Sequence, residues 1–440
     1  MNDFSRSHIS PNFVRFSSLT YLDLSDSRFT SQIPSEISNL SKLRSLRIYG
    51  YSSGLSLEPY NFQLLLTNLT QLRELDLYSV SIFSVIPPNF SSHLTTLRLP
   101  DAQLHRILPE RVFHLPNLKF LDLSQNYQLI VTFSMTKWNS SASLKDFYLW
   151  SNSNSLTPIP SDDSGQQILW LLILSSNNLN GTIPSWIPSL PSLSYLDLSN
   201  NHLSGQMEEF KYNKLFWIDL GKNQLQNLIP NSLLNQPDLI FLNLSSTNFS
   251  RNLDFSMFSN LSDLDTLDLS HNSYFSWTNE NQEMSNLPTL SDFNLRYNML
   301  QGSLPIPSIY VQHFFISHNN LSGKIPSIIC NLDSLRILDL ASNSLKGAIP
   351  PCLGNMRRVE VPREMTTPAL DEEEDSGFEI SWEAALMGYG CGLIIGFSIV
   401  YILLSTQNPT WFSRMIEEWE HRIITRKQKK VARQVRFQFK

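Results

Sequence analysis

Fourteen times between Leu19 and Leu340 the chain spells a variant of L-x-x-L-x-L. The copies begin at Leu19, Leu43, Leu72, Leu94, Leu118, Leu144, Leu169, Leu193, Leu215, Leu239, Leu264, Leu290, Val311 and Leu335, with intervals of 21 to 29 residues. Such a period excludes most folds at once. A unit this short cannot bury its own apolar face, so each copy must stack on its neighbours, and the whole must be an elongated array with one continuous core. Amphipathic helices are ruled out because the apolar period does not hold at 3.6 residues.

One copy, "LSYLDLSNNHLSGQ", shows the local physics. Leu193, Leu196 and Leu198 point inward, while Ser194, Tyr195, Asp197 and Ser199 point out from a short strand. Stacked strands join a long parallel sheet. An Asn follows the last leucine by three residues at 126, 152, 177, 201, 223, 272, 298, 319 and 343. A buried amide there can satisfy the backbone of the adjoining coil. The first four copies and the tenth, which has Thr247, lack it, so gaps are expected in that ladder. Several copies continue as L-x-G-x-I-P ("LNGTIP", 179–184; "LSGKIP", 321–326; "LKGAIP", 345–350), where Gly permits a tight turn and Pro ends strand pairing. This extension resembles the plant-type leucine-rich repeat. The expected fold class is therefore an α/β leucine-rich-repeat solenoid with a curved parallel sheet over residues 1–355. The longest interval, holding "YGYSSGLSLEPYNF", reads as an inserted loop.

Beyond the repeats the composition changes. Residues 384–404, "AALMGYGCGLIIGFSIVYILL", carry no charge. As a helix they would span about 31 Å, enough for a hydrocarbon core. Before them, 356–383 form an acidic juxtamembrane spacer; after them, 405–440 form a short tail with nine Lys/Arg. Positive charge stays inside, so the repeats are expected outside the cell and the C-terminus in the cytosol, as a single-pass plasma-membrane protein. Ala384, Gly388, Gly392 and Gly396 share one helix face, and small residues at that spacing admit a partner helix. Nine sequons, at Asn39, Asn68, Asn89, Asn139, Asn180, Asn243, Asn248, Asn260 and Asn320, suit a secretory-pathway glycoprotein, although Asn243 falls on a strand. Of three cysteines, Cys330 and Cys352 occupy neighbouring places in consecutive repeats; a bridge or two buried thiols are both open readings. The first residues, "MNDFSRSHISPNFV", lack a signal peptide's basic start and apolar core, which leaves membrane delivery unexplained within this sequence.

Enzyme chemistry finds no foothold. There is no kinase signature, no nucleophile elbow and no zinc spacing, and no cofactor or metal is expected. The net charge of −6 gives no basic surface for nucleic acid. What varies is the outward strand face. Between the second and third leucines Asp is usual (Asp23, Asp76, Asp122, Asp197, Asp219, Asp268, Asp339), and Ser usually follows the third. Departures gather early, at Arg47, Tyr49, Tyr78, Arg98, Tyr148 and Trp150. Aromatic and arginine side chains dominate binding hot spots, so these six are expected to line a peptide- or protein-binding stripe on the concave face.

Together, plant-type repeats, acidic spacer, glycine-stepped helix and basic tail resemble the plant receptor-like proteins of the tomato Cf type. The stretches "FSSLTYLDLSDSRFTSQIPSEISNLSKL" (16–43), "LLLTNLTQLRELDL" (64–77) and "WEAALMGYGCGLIIGFSIVYILLSTQNPTWF" (382–412) carry the likeness. It implies a cell-surface receptor without a kinase, many of whose relatives act in defence, that works with a partner receptor kinase through its membrane helix. Here Gly388, Gly392 and Gly396 would carry that pairing. Family members add a signal peptide, a cysteine-bearing cap, more repeats and a non-repeat island. Here "IPPCLGNM" (349–356) runs almost directly into "RRVEVPREMTTPALDEEED" (357–375), which reads as a truncated copy. A non-functional receptor fragment, or an inhibitor of microbial cell-wall enzymes, are the alternative readings.

Overall fold

A single parallel sheet organises the molecule, one strand from each turn of the chain. The computed structural model describes residues 7–355 and 358–360, apart from 26, 28, 51–53, 132–142, 153–167, 250, 254, 273–274, 278–282, 285–286 and 288. All of these fall in the compact unit Met1–Pro368. The expected membrane helix and tail, and with them Ala384, Gly388, Gly392 and Gly396, lie outside the described residues, as does Asn139. Among the described residues no helix is long and apolar enough to cross a membrane.

The sheet has fifteen strands, from Tyr21–Asp23 to Arg358–Glu360, paired in chain order. Most contain three residues, the second leucine of the unit and the outward residue on either side of it, as in Tyr195–Asp197. Every strand pairs in phase with the next: Asp197 stands beside Ile173 on one side and Asp219 on the other. Fourteen strands coincide with the fourteen repeats. The fifteenth, Arg358–Glu360, pairs with Ile337–Asp339 inside the stretch that composition assigns to the spacer. It carries no leucine signature, so only its pairing reveals it.

The leucines face inward and are buried without exception in the central units: Leu193, Leu196 and Leu198 are 3%, 0% and 0% exposed. At about 25 cal/mol per Å² of apolar surface removed from water, stacking of these faces is the dominant favourable term. The asparagine ladder closes the polar side of the core. Asn223 donates through Nδ2 to the carbonyls of Leu198, Leu220 and Gly221 (2.9, 3.0 and 3.3 Å), and its Oδ1 accepts from the Leu203 N–H (3.0 Å). Asn177, Asn201, Asn272, Asn298, Asn319 and Asn343 repeat the same donor pattern one turn apart. Each therefore ties its own turn to the one before. Where Thr247 interrupts the series, its hydroxyl lies 2.8 Å from both the Leu244 carbonyl and Asn272 Oδ1, with one proton for the two, and its N–H donates to the same Asn272 Oδ1 (3.1 Å), so the gap is closed by a shorter side chain. In the third and fourth copies the buried Val80 and Ala102 fill the place instead.

Away from the main sheet, the L-x-G-x-I-P segments form a second set of short parallel strands, 180–181, 202–205, 224–227 and 248–249, with another set at 301–302, 320–323 and 344–345. Gly181, Gly205, Gly302, Gly323 and Gly347 take φ between 77° and 94°, the left-handed region that only glycine enters cheaply here. Short 3-10 turns such as Ser327–Asn331 complete most units. There is one α-helix among the described residues, Pro59–Asn68, and it corrects part of the inserted-loop reading. Pro59 suits the first helical turn, and Phe62, Leu65, Leu66 and Leu69 fall on one face and are buried. Cys330 and Cys352 stand with Cα atoms 5.6 Å apart and their sulfurs bonded, joining the last two repeats.

Candidate ligand-binding face

The outward side of the sheet reads as columns. The column between the second and third leucines runs Asp23, Arg47, Asp76, Arg98, Asp122, Tyr148, Ile173, Asp197, Asp219, Asn243, Asp268, Asn294, Phe315, Asp339. The recurrent acid has a local reason. Its carboxylate accepts the backbone N–H two residues on, as Asp122 does from Ser124 (3.1 Å), Asp197 from Ser199 (3.0 Å) and Asp219 from Gly221 (3.0 Å). This bond fixes the turn that leaves the strand. The next residue takes φ of 51–60° in each of twelve successive repeats, from Ser79 to Ser342, although none is glycine.

The six residues singled out by sequence divide into two groups. Arg47, Tyr49, Tyr78 and Arg98 belong to an internally paired network. Arg47 reaches Glu74 (3.4 Å), the Tyr49 hydroxyl donates to Asp76 Oδ2 (3.1 Å), and its ring lies 5.9 Å from that of Tyr78. Arg98 contacts Asp76 (3.3 Å) and Asp122 (3.9 Å), with its guanidinium 5.3 Å above the Phe120 ring. Burial pushes the Asp76 carboxyl up to about 6, against the pull of Arg98, and burial raises Asp122 as well. Desolvation thus outweighs attraction on the acid side, so this network specifies geometry more than it adds stability. These side chains have partners already and are poorly placed to offer themselves to a ligand.

Tyr148 and Trp150 belong elsewhere, to an apolar cluster on the outward face that is separate from the leucine core. Its centre is Leu171, Ile173 and Tyr195, packed by Trp170, Phe216 and Trp217. Trp217 lies nearly parallel between Tyr195 (5.3 Å, 6°) and Phe241 (3.8 Å, 5°), and Trp170 stacks on Phe216 at 5.6 Å. Lys145 Nζ sits 5.3 Å over the Trp170 ring at one border. Trp170, Phe216, Trp217 and Phe241 remain half-exposed. The sequence does hold a signal for them: in "LWLLIL" and "LFWIDL" the two residues before the second inward one, Trp170 and Leu171, Phe216 and Trp217, are all apolar. The Asp and Ser columns do not carry it, because these rings stand in the column before the second leucine.

Beside this cluster, next to Ile173 in the column, stand two adjacent acids. Asp197 accepts from the Ser199 N–H and hydroxyl, and Asp219 from Gly221. Burial, then the neighbouring Asp197 charge, pushes Asp219 up to about 7; burial raises Asp197 too. Among the described residues no group of three acids, histidines or cysteines could hold a metal ion. The sequon residues Asn39, Asn68, Asn89, Asn180, Asn248, Asn260 and Asn320 are exposed; Asn243 is half-buried on the face itself, its Oδ1 accepting from the Ser245 N–H (2.9 Å).

Comparison with known proteins follows the same lines. A family model described as Leucine Rich Repeat matches residues 18–40, 169–190, 192–212, 310–332 and 334–356. Receptor-like protein 9DC1 of Solanum pimpinellifolium is 52% identical over 180 residues, 41% of this chain and 21% of its own length. Receptor-like protein Cf-9 of the same species is 59% identical over 148 residues, 34% of this chain and 17% of its own. The matched stretch thus spans about a fifth of the length of these curated relatives. Among solved structures, PEPR1–AtPEP1 superposes with a TM-score of 0.70 at 27% identity, over 81% of this chain and 50% of that one. The Arabidopsis receptor kinase HAESA, in complex with the peptide hormone IDA and the co-receptor SERK1, gives 0.66 over 83% and 65%, and at 24% identity bears on the fold alone.

Proposed function

From the premise that this chain is a plant leucine-rich-repeat receptor-like protein of the Cf type, we propose that it binds an extracellular peptide or protein ligand on the outward sheet face and signals through a partner receptor kinase. The observation that carries the binding half is the aromatic cluster around Trp217. Large rings gathered on the solvent side of a sheet whose core is already complete have no folding task that leucines do not meet, and such patches mark interaction sites. The likeness to PEPR1–AtPEP1, a complex on the same kind of scaffold at 27% identity, supports this reading. The repeats stand outside the cell, the plasma membrane is crossed at 384–404, and Gly388, Gly392 and Gly396 admit the kinase's helix. Defence is the role that the Cf-type relatives suggest.

Two experiments test the two halves. Peptides selected from a random display library on the full-length chain in nanodiscs are expected to lose binding to Trp217→Ala. A library that yields no specific binder overturns the binding half. Co-precipitation of receptor kinases from plant cells is expected to fall for Gly392→Leu at equal expression, since a leucine there blocks the close backbone approach that small residues allow in lipid. Undiminished recovery overturns the pairing.

A further inference from the structure

We propose that the rim along which the chain enters the early strands takes an acidic segment of an extended peptide ligand, its carboxylates meeting Arg44, Arg73, Lys119 and Lys145. The inference rests on the peptide-binding reading above and adds the chemistry of one part of the ligand to it.

The residue just ahead of each main-sheet strand forms a column of its own. Its N–H donates to the carbonyl of the matching residue one turn earlier: Arg73 to Arg44, Thr95 to Arg73, Lys119 to Thr95, Lys145 to Lys119 and Trp170 to Lys145, all at 2.7–2.8 Å. That backbone ladder holds the side chains one strand apart, about 4.8 Å. Four of the five places from Arg44 to Lys145 carry a cation, a line of positive charge about 19 Å long. The break is Thr95, whose hydroxyl donates to the Arg73 carbonyl (3.0 Å).

All four cations are exposed, and among the described residues none of them makes an ion pair. The arginines inside the strands differ in this respect, Arg47 being held by Glu74 and Arg98 by Asp76 and Asp122. In a chain of net charge −6 the rim runs against the overall balance. Nor does the fold require cations there. Ser194, Ile240, Asp265 and Ser291 hold the same place in later turns and make the same backbone bond. Arg44 beside Arg73, and Lys119 beside Lys145, repel each other across one strand spacing. A carboxylate lying along the rim would relieve both pairs.

Continuity with the aromatic cluster selects a peptide as the partner. After Lys145 the column continues to Trp170 and, two places on, to Phe216, both members of that cluster. Lys145 Nζ over the Trp170 ring marks the border. From Arg44 to Phe216 is seven strand spacings, about 34 Å, the reach of an extended peptide of about ten residues. A peptide acidic at one end and apolar at the other would match both halves of the column. A uniform polyanion, such as a cell-wall polyuronate, would match only the basic half.

The test uses the full-length chain in nanodiscs and peptides selected on it from a random display library. Peptides recovered on the natural sequence are expected to carry Asp or Glu grouped on one side of their apolar residues. Replacing those acids by Asn or Gln is expected to weaken binding about tenfold on the natural chain, the sum of several exposed charge pairs. On the Arg44→Gln/Arg73→Gln/Lys119→Gln/Lys145→Gln variant the same replacement is expected to cost less than about twofold. An unchanged or higher melting midpoint confirms the fold of that variant; should it melt lower, Arg44→Gln/Arg73→Gln and Lys119→Gln/Lys145→Gln are compared separately, each expected to remove part of the penalty. Selected peptides without acidic enrichment, or an equal penalty on natural and variant chains, overturn the proposal and leave peptide binding standing. Binding of oligogalacturonate that is lost on the fourfold variant, with no acid dependence among the peptides, gives the rim to a wall polyanion and likewise overturns it. Failure to select any peptide overturns both readings.

Discussion

The ends and the middle of the outward column share one strand geometry and differ in what stands beside the carboxylates. At the ends, Arg98 and Arg296 neutralise Asp76, Asp122 and Asp339, and tyrosine and phenylalanine rings are drawn into the same networks. In the middle, arginine is replaced by isoleucine and asparagine, and tryptophan, tyrosine and phenylalanine stack on one another two residues before Asp197, Asp219 and Asn243 in their strands. The difference teaches that residue type alone does not mark a binding surface. An arginine on this face is a partner already found, and only the register of neighbouring strands separates such paired residues from the apolar cluster.

Four measurements break or sharpen that contrast. The largest effect is expected in ligand binding: Trp217→Ala should weaken a selected peptide by about 30-fold or more, a hot-spot loss, whereas Arg98→Ala should change it less than about threefold. Comparable losses from both would erase the distinction. Next, Arg98→Ala should lower unfolding stability by about 3 kcal/mol at pH 8, because it leaves two buried acids without their cation. Asp76 already titrates near 6, so the loss should shrink at pH 5, where protonation removes the uncompensated charge.

Asp219→Asn should act with the opposite sign. A carboxyl raised to about 7 in the folded state contributes stability that is fully present below its unfolded value and lost as pH rises through 7. The amide escapes that loss, so thermal midpoints should rise by a few degrees at pH 8 and by less at pH 5, which lies between the unfolded value and 7. A fall at pH 8 would show that the central acid has an internal cation after all. Smallest is a control on the shared frame. Gln125→Gly near one end and Lys222→Gly at the centre should each stabilise by about 0.5–1 kcal/mol, since both residues hold left-handed backbone (φ 60° and 55°). Unequal gains would mean that the two regions differ in backbone as well as in side chains.

The frame was legible because it is written locally. Leucine spacing gave the strands, and the asparagine three places on gave the ladder, including its gap at Thr247, although not the hydroxyl that closes it. The helix Pro59–Asn68 is legible in principle from Pro59 and the spacing of Phe62, Leu65, Leu66 and Leu69, but against the repeat period the same residues look like an interruption and so like a loop. The site was less accessible for a physical reason. Whether Arg98 is available depends on Asp76 and Asp122, 22 and 24 residues away in sequence and one strand away in space. Counting unusual residues selects paired and unpaired ones alike. Tyr148 and Trp150 came from that count; Trp170, Leu171, Ile173, Tyr195, Phe216, Trp217 and Phe241 needed the register of neighbouring strands to be seen as one surface.

The left-handed corner after each strand has a consequence of its own. Serine, aspartate, glutamine, asparagine, lysine, histidine and tyrosine all occupy it with nearly the same backbone angle. The preceding acid or amide and the next coil dictate the path there, so the side chain is released from any part in shaping it. At His271, Tyr297 and His318 the freedom is visible as three rings lying flat on one another, 4.2 and 4.1 Å apart. Chassis and lettering are thereby separated: one margin of the coil can be rewritten, letter by letter, while the spine that carries it keeps its form.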